Sequence, residues 1–240
     1  MLTSLTMRIR TGLLSCAVIV ASLFLGTCDR ATPPPEQSPG PAAKGTAASP
    51  GGEILAEYRE SIHPDLPQFR FTLTGTKTVA DQGTARVRSI EIRRDSEPDP
   101  FQVIDGVNAE TPVERPGAFE AIDMNFDGYR DIRLIDSLPA GPNTPHRNWT
   151  YDPAEGSFQP SPELDRIPAA QYDGAAKTIR SEWRDGPAHY ASDAYRYIDG
   201  KPLLARREER RYTEPGVYTL TVSERVGGTL RVVESRQVRE

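Results

Sequence analysis

Cysteine and histidine are both scarce in this 240-residue chain. Its two cysteines, Cys16 and Cys28, lie near the N-terminus, so no disulfide framework is available to a domain built from the rest. Such a domain must be stabilised by a packed core, with or without a bound metal. The three histidines, His63, His146 and His189, lack the spacing of a zinc site. A G-x-S-x-G motif is missing as well, so the chain shows no sign of thiol, zinc or serine-hydrolase chemistry.

A long apolar run is also missing. The uncharged apolar residues 13–26 are fewer than the roughly 20 that a helix needs to span a bilayer. Arg8 and Arg10 precede them, and a positive start before a short apolar centre is typical of a signal peptide. We therefore expect residues 1–27 to be a signal peptide, and we expect no transmembrane helix after it.

The apolar run ends in LGTC, which resembles the lipobox of bacterial lipoproteins. In that family the cysteine, here Cys28, becomes the acylated first residue of the mature protein, although Thr27 departs from the usual small residue. An ordinary signal peptide cut near this point is the alternative. Residues 28–52 are rich in Pro, Ala, Gly and Ser, so we expect a lipidated cysteine and a disordered tether. Residues 53–240 would then form a periplasmic domain, lipid-anchored to the inner or outer membrane.

Positive charge is in short supply. The chain has 29 Lys and Arg against 34 Asp and Glu, which gives a formal net charge of −5. Nucleic-acid binding depends on cationic contacts with phosphates, so we expect no nucleic-acid partner. A basic protein is the partner that this charge favours, because opposite charge steers association.

Strand-like alternation recurs along the proposed domain, whereas no helical period is sustained. The segment FRFTLTG places Phe69, Phe71 and Leu73 on one face of a strand. In ARVRSIEIRR the apolar residues change face, which predicts a bulge near Ser89. The only doubtful segment is EILAEYRESI, which could form a short helix or an irregular lead-in.

Turn signals separate the predicted strands. NWTYDPAEGSFQPS is typical of a hairpin, and Gly227 and Gly228 predict a tight turn between the last two strands. Many short strands with regular turns indicate an all-β fold. We predict an antiparallel β-sandwich, or barrel-like paired sheets, with one loop of special chemistry between two strands.

That loop is DMNFDGYRD, residues 123–131, where oxygen-bearing side chains recur at close spacing. Calcium takes six to eight oxygen ligands with flexible geometry, and such loops supply them at alternate positions. Three like charges in a short turn also repel one another unless a cation lies between them. The predicted calcium ligands are Asp123, Asn125, Asp127, Asp131 and the main-chain carbonyl of Tyr129. A charged turn without an ion is the alternative.

The calcium loop differs from an EF-hand. Leu134 stands where an EF-hand needs a bidentate Glu, and the flanking segments AFEAID and DIRLID are strand-like. Gly128 allows the sharp turn. We therefore predict an inter-strand calcium site with a structural role.

Four segments together resemble a family of exported bacterial calcium-loop proteins. They are AIDMNFDGYRDIRL, AGPN, NWTYDPAEGSF and IRSEWRDGPAHY with the following YRYIDGKPLL, and they cover about residues 117–205. Members of that family resemble lipoprotein immunity proteins of antibacterial type IV secretion systems. They are similar in fold to periplasmic inhibitors of invertebrate-type lysozyme. The resemblance implies paired antiparallel sheets and a partner that is a lysozyme-like peptidoglycan hydrolase delivered as an effector.

In such inhibitors a loop with small residues and a tyrosine plugs the sugar-binding cleft. The best match is SEWRDGPAHY, although Asp185 stands before Gly186 where the family carries Ser. The resemblance implies an inhibitory loop made of Arg184, Asp185, Gly186, Pro187, His189 and Tyr190. A plain hairpin with Tyr190 packed on the sheet is the alternative.

Three function classes follow from these observations. We predict an immunity protein that inhibits a lysozyme-like hydrolase. The alternative is a non-catalytic, calcium-stabilised envelope binding or scaffold module. A glycan hydrolase is the weakest of the three, because only paired carboxylates, which form in space, could support it. We therefore expect no enzyme activity.

Overall fold

The structure is a computed structural model that describes residues 52–78 and 83–240. The predicted signal peptide, Cys28 and nearly all of the predicted tether lie outside the described residues. Within these two ranges, no helix is long and apolar enough to cross a membrane.

The first sheet contains five antiparallel strands. They are β1 (Glu53–Glu60), β2 (Phe69–Lys77), β3 (Ala85–Arg94), β4 (Gln102–Ile104) and β5 (Ala109–Thr111). The order is β1-β2-β3-β4, and β5 also pairs with β3. The expectation of a helix or irregular lead-in at EILAEYRESI is wrong, because β1 pairs with β2 along its whole length. The alternation of apolar and polar residues in β1 is weak, because β1 lies at the edge of the sheet and buries few side chains.

The second sheet packs face to face on the first. Its strands, in order, are β6 (Phe119–Ile122), β7 (Asp131–Ile135), β8 (His146–Asp152) and β9 (Ser157–Pro160). The buried side chains between the two sheets are Ile62, Phe69, Phe71, Leu73, Val87, Ile90, Ile92, Val107, Ala109, Phe119, Ala121, Ile132, Leu134, Trp149, Tyr151 and Phe158. Each large apolar side chain buried here stabilises the fold by about 1.5–3 kcal/mol. The predicted inward face of β2 is confirmed, since Phe69, Phe71 and Leu73 are fully buried.

A six-stranded sheet forms the C-terminal part of the chain. A short helix, α1 (Pro162–Asp165), precedes β10 (Gln171–Asp173), β11 (Thr178–Arg184), β12 (His189–Ile198), β13 (Lys201–Glu214), β14 (Val217–Val226) and β15 (Thr229–Arg239). These strands are antiparallel and follow one another in chain order. A second core lies under β11, and its buried members are Met124, Leu164, Ile167, Ala170 and Ile179. It joins the loop after β6 and helix α1 to the third sheet.

The all-β prediction is confirmed: the described residues form three antiparallel sheets with almost no helix. The tight turn at Gly227 and Gly228 is also confirmed, with φ values of 57° and 82° between β14 and β15. A two-residue turn with two successive positive φ values matches the right-handed twist of the strands that it connects.

The predicted bulge in β3 lies where the two strands shift register. Thr74 pairs with Ser89, whereas Gly75 pairs with Val87, so one residue of β3 is unpaired. The backbones approach closely at this point. A Cβ built on Gly75 would collide with the carbonyl oxygen of Arg86 and lie 3.0 Å from Leu55 Cδ1.

Gly75→Ala should therefore destabilise the protein by about 2 kcal/mol or more, because the strand must move to admit the methyl group. The melting temperature should fall by at least about 4 °C for a domain of this size. Gly174→Ala is the matched control, since a Cβ there meets no atom within 4 Å and the backbone is not left-handed. Equal melting temperatures for the two variants would contradict the close approach at the bulge.

Candidate functional site

The acidic loop lies between β6 and β7, and Asp131 is the first residue of β7. Its inter-strand position is therefore as predicted. Phe126 and Gly128 have positive φ values of 63° and 97°, which produce the sharp reversal. The ring of Phe126 packs edge to face on Tyr197 of β12, with centroids 6.1 Å apart. This contact ties the loop to the third sheet.

The side-chain oxygens of the loop accept hydrogen bonds from its own main chain. Asp123 Oδ1 and Asn125 Oδ1 each lie 3.1 Å from the N–H of Asp127. Asp123 Oδ2 accepts from Gly128 N at 3.0 Å, and Asp127 Oδ1 accepts from Tyr129 N at 2.8 Å. The side chains of Asp123, Asn125 and Asp127 thus turn inward onto one short stretch of backbone.

The calcium prediction can be compared with this geometry. Among residues 52–78 and 83–240, no group of three or more His, Cys, Asp or Glu is arranged to hold a metal ion. Carboxylate and amide oxygens are suitable ligands for calcium. In this structure, however, the same oxygens accept hydrogen bonds from main-chain N–H groups of the loop. The ring of Tyr129 stacks on His63 and Tyr151, with centroids 4.4 Å and 5.5 Å apart. Calcium binding therefore stays a prediction.

Asp131 is fully buried and connects the loop to the second sheet. Its Oδ2 accepts from Met124 N and its Oδ1 accepts from Tyr151 N, each at 2.8 Å. Burial raises the pKa of Asp131 to about 7, because a charged carboxylate loses its hydration. The charges of Asp127 and Asp123 add to the rise, and the two N–H donors oppose it. A nearby cation would favour the charged form.

The predicted inhibitory loop is the turn between β11 and β12. Its residues 184–188 are exposed, and Gly186 has a φ of 83°. Asp185 N donates to His189 O at 3.0 Å, which closes the turn. Asn143, in the loop between β7 and β8, donates to Arg184 O at 2.7 Å and accepts from Arg184 N at 3.0 Å. A side-chain amide thus braces the base of the hairpin.

Tyr190 and His189 lie on opposite faces of the third sheet, although both belong to the predicted loop. Tyr190 is 37% exposed, and its ring meets Tyr212 edge to face with centroids 5.9 Å apart. Its hydroxyl donates to Pro187 O at 3.0 Å. His189 Nε2 lies 2.9 Å from Glu209 Oε1, in an alignment too poor for a hydrogen bond. The exposed side of the hairpin therefore presents Tyr190 but not His189.

An ion pair centred on the buried Asp193 links the three strands next to the hairpin. The carboxylate of Asp193, fully buried on β12, accepts from Arg207 Nε and Nη2 on β13, both at 2.7 Å. Trp183 Nε1 on β11 donates to the same carboxylate at 2.9 Å. The burial of this charge is compensated by several donors, as a buried charge requires. No short-range sequence signal connects these three residues, so sequence reasoning missed them.

Asp131→Asn should destabilise the protein even when calcium is chelated. The substitution replaces an acceptor oxygen with an NH₂ group that faces a main-chain N–H, and a buried unsatisfied donor costs about 1–3 kcal/mol. Asp127→Asn is the matched control, because an asparagine keeps the oxygen that accepts from Tyr129 N. Its NH₂ group would face Asn125 Nδ2, but Asp127 is exposed, so water can satisfy both donors. Urea denaturation in EGTA measures both. If Asp131→Asn behaves like the control, the two main-chain contacts do not support the fold.

No protein-family model matches the chain, and no curated protein matches it. Its fold is similar to that of a solved structure described as "Structure of a Xanthomonas Type IV Secretion System related protein". The TM-score is 0.52, the sequence identity is 14%, and the match covers 74% of this chain and 93% of that chain. At this identity the likeness shows a shared fold.

Proposed function

We propose that this chain is an envelope lipoprotein that binds and inhibits a lysozyme-like peptidoglycan hydrolase. In this role it would act as an immunity protein against an effector of an antibacterial type IV secretion system. The main support is the braced hairpin of residues 184–190, exposed on a fold similar to that of a type IV secretion system related protein. The four-segment sequence resemblance supports the same function.

The hairpin has the chemistry that a glycosidase cleft would accept. Glycosidases generally carry two carboxylates beside the scissile bond, so a plug for such a cleft needs positive charge and a ring-shaped surface. Arg184 is exposed on β11, and its register partner on β12 is the exposed Tyr190. In our proposal the guanidinium pairs with the hydrolase carboxylates and the tyrosine ring occupies a sugar subsite.

Rigidity of the hairpin would favour tight binding. An interface loses free energy when flexible segments become ordered, and preorganisation reduces that loss. Asn143 donates one hydrogen bond to the Arg184 main chain and accepts another from it, and the pair of Arg207 with the buried Asp193 links β12 to β13 beneath the hairpin. The tip therefore projects from a base that needs little rearrangement on binding.

Location and charge complete the proposal. Acylation of Cys28, followed by a tether, would hold the domain at a membrane on the periplasmic side. The formal net charge of −5 would speed association with a basic hydrolase, since complementary charge mainly raises the association rate. We propose no catalytic role for the chain. The alternative is a calcium-stabilised envelope binding or scaffold module with no hydrolase partner.

Tyr190→Ala should weaken inhibition at least about 30-fold. Truncating a central interface anchor typically costs about 2 kcal/mol or more, and 1.4 kcal/mol corresponds to a factor of ten. Inhibition constants would be measured with a lysozyme panel and with any lysozyme-like effector encoded beside the gene. Arg180→Ala is the control, because Arg180 is also exposed on β11 but lies four residues before Arg184, away from the tip.

The melting temperature of Tyr190→Ala should stay near that of the wild type. A parallel loss of stability would assign Tyr190 to structure and place the contact elsewhere. If the wild-type chain inhibits neither the panel nor the effector, the inhibitor proposal fails and the scaffold alternative replaces it.

We also propose that the loop binds one calcium ion through Asp123, Asn125, Asp127, Asp131 and the Tyr129 carbonyl. The support is the oxygen spacing and the inward orientation of the side chains of Asp123, Asn125 and Asp127. A bound cation would relieve the repulsion among the carboxylates and hold the ends of β6 and β7 together.

Asp127→Ala should remove the stabilisation by calcium. Its melting temperature in calcium should fall to near that of the chelated wild type, because binding to the folded state alone raises stability. Asp152→Ala is the control: Asp152 accepts from Ala154 N in a turn outside the loop, so its effect should be equal with and without calcium. An unchanged wild-type melting temperature on chelation would remove the calcium proposal.

A further inference from the structure

A cleft lies on the exposed face of the third sheet, beside the hairpin. Its volume is about 350 Å³, within the range of small-molecule sites. The side chains that line it on this face come from β11, β12 and β13, and they are Glu182, Tyr190, Ser192, Glu208, Arg210 and Tyr212. Aromatic rings and charged groups of both signs thus meet at one place.

Two tyrosine rings line the cleft, and Tyr212 also packs on Tyr218 with centroids 5.0 Å apart. Tyr190 and Tyr212 meet edge to face at an interplanar angle of 77°. Their hydroxyls are already engaged, with Pro187 O and Glu240 Oε1, each at 3.0 Å. What the rings can offer a ligand is therefore their exposed apolar surface, chiefly that of Tyr190, which is 37% exposed. An aromatic face carries partial negative charge and attracts the polarised C–H groups of a pyranose.

Three polar groups in the cleft are available to a ligand. Within residues 52–78 and 83–240, the side chains of Glu182, Ser192 and Arg210 make no hydrogen bond or ion pair. The guanidinium carbon of Arg210 lies 5.8 Å from the centroid of the Tyr218 ring. Glu208 differs, because it pairs with Arg206 at 2.6 Å. A free carboxylate, a free hydroxyl and a free guanidinium can bind donors and acceptors at the same time.

We propose that this cleft binds a saccharide chain. Hydroxyl and acetamido groups both donate and accept, which matches a cleft with a free carboxylate on β11 and a free guanidinium on β13. A simple cation is disfavoured because Arg210 lies in the cleft. An added peptide strand is also disfavoured, because β12 pairs on both sides and has no free edge. The cleft shares Tyr190 with the proposed inhibitory hairpin, but saccharide binding can hold or fail separately from hydrolase inhibition.

The test is a titration of the full chain with trisaccharides of N-acetylglucosamine and of glucose. Amide signals of Glu182, Ser192 and Arg210 should shift saturably in two-dimensional NMR. Arg210→Gln and Glu182→Gln should each weaken binding about tenfold, which corresponds to about 1.4 kcal/mol. Arg211→Gln should bind like the wild type, because Arg211 is the next residue of β13 and points to the opposite face.

Tyr190 is not used in this test because it also belongs to the proposed inhibitory hairpin. Matching melting temperatures of the three variants would show that folding is unaffected. The proposal is wrong if neither trisaccharide binds saturably, or if Arg210→Gln and Glu182→Gln bind as tightly as Arg211→Gln. It is also wrong if an arginine-rich peptide shifts the same amides and the saccharides do not, since the cleft would then be a protein-docking surface.

Discussion

Phe69 lies fully buried between the first and second sheets, where its ring meets three others edge to face. The partners are Phe101, Tyr151 and Phe158, with centroids 5.6, 6.1 and 6.2 Å away. With no cysteine among the described residues, such contacts are the main link between the two sheets. The same cluster fixes β8, whose Tyr151 N–H holds Asp131 at the start of β7. Core packing thereby sets the position of the acidic loop.

Polar contacts add to the second apolar core in attaching the third sheet. Arg133 on β7 donates to Ala170 O at 2.7 Å, and its guanidinium lies 5.3 Å from the centroid of the Tyr172 ring. Its other nitrogens bind Glu120 of β6. Hydrogen bonds and ion pairs of this kind fix orientation more strictly than apolar contact does, because their geometry is directional. The cleft and the hairpin therefore have a defined position relative to the loop.

Local pattern predicted much of the fold. Alternation identified β2, the apolar change of face indicated the bulge opposite Gly75, and paired glycines indicated the last turn. β1 was not predicted, because a strand at a sheet edge buries one weak face and depends on its neighbour for hydrogen bonds. The division into three sheets was also not predicted, since strand pairing over long sequence distances leaves no local pattern.

The sites were predictable only in part, for the same reason. Spacing alone located the turn of residues 123–131, yet it gave no sign that Asp131 would be buried against Tyr151 N, twenty residues away. The hairpin was located by resemblance. The contact of Asn143 with the hairpin depends on how distant strands meet. The separation of His189 from Tyr190 onto opposite faces follows from strand alternation once β12 is assigned.

The two hydrogen bonds of Asn143 hold the base of the hairpin and do not involve the residues at its tip. The Asn143 side chain hydrogen-bonds to the main chain of Arg184, so side chains can change there without loss of the two hydrogen bonds. Asp185 and Pro187 are exposed, and exposed positions usually tolerate substitution within about 0.5 kcal/mol. The tip can therefore diverge quickly during evolution while the sheet stays constant. One scaffold of this kind could acquire new partners through changes at a few tip residues.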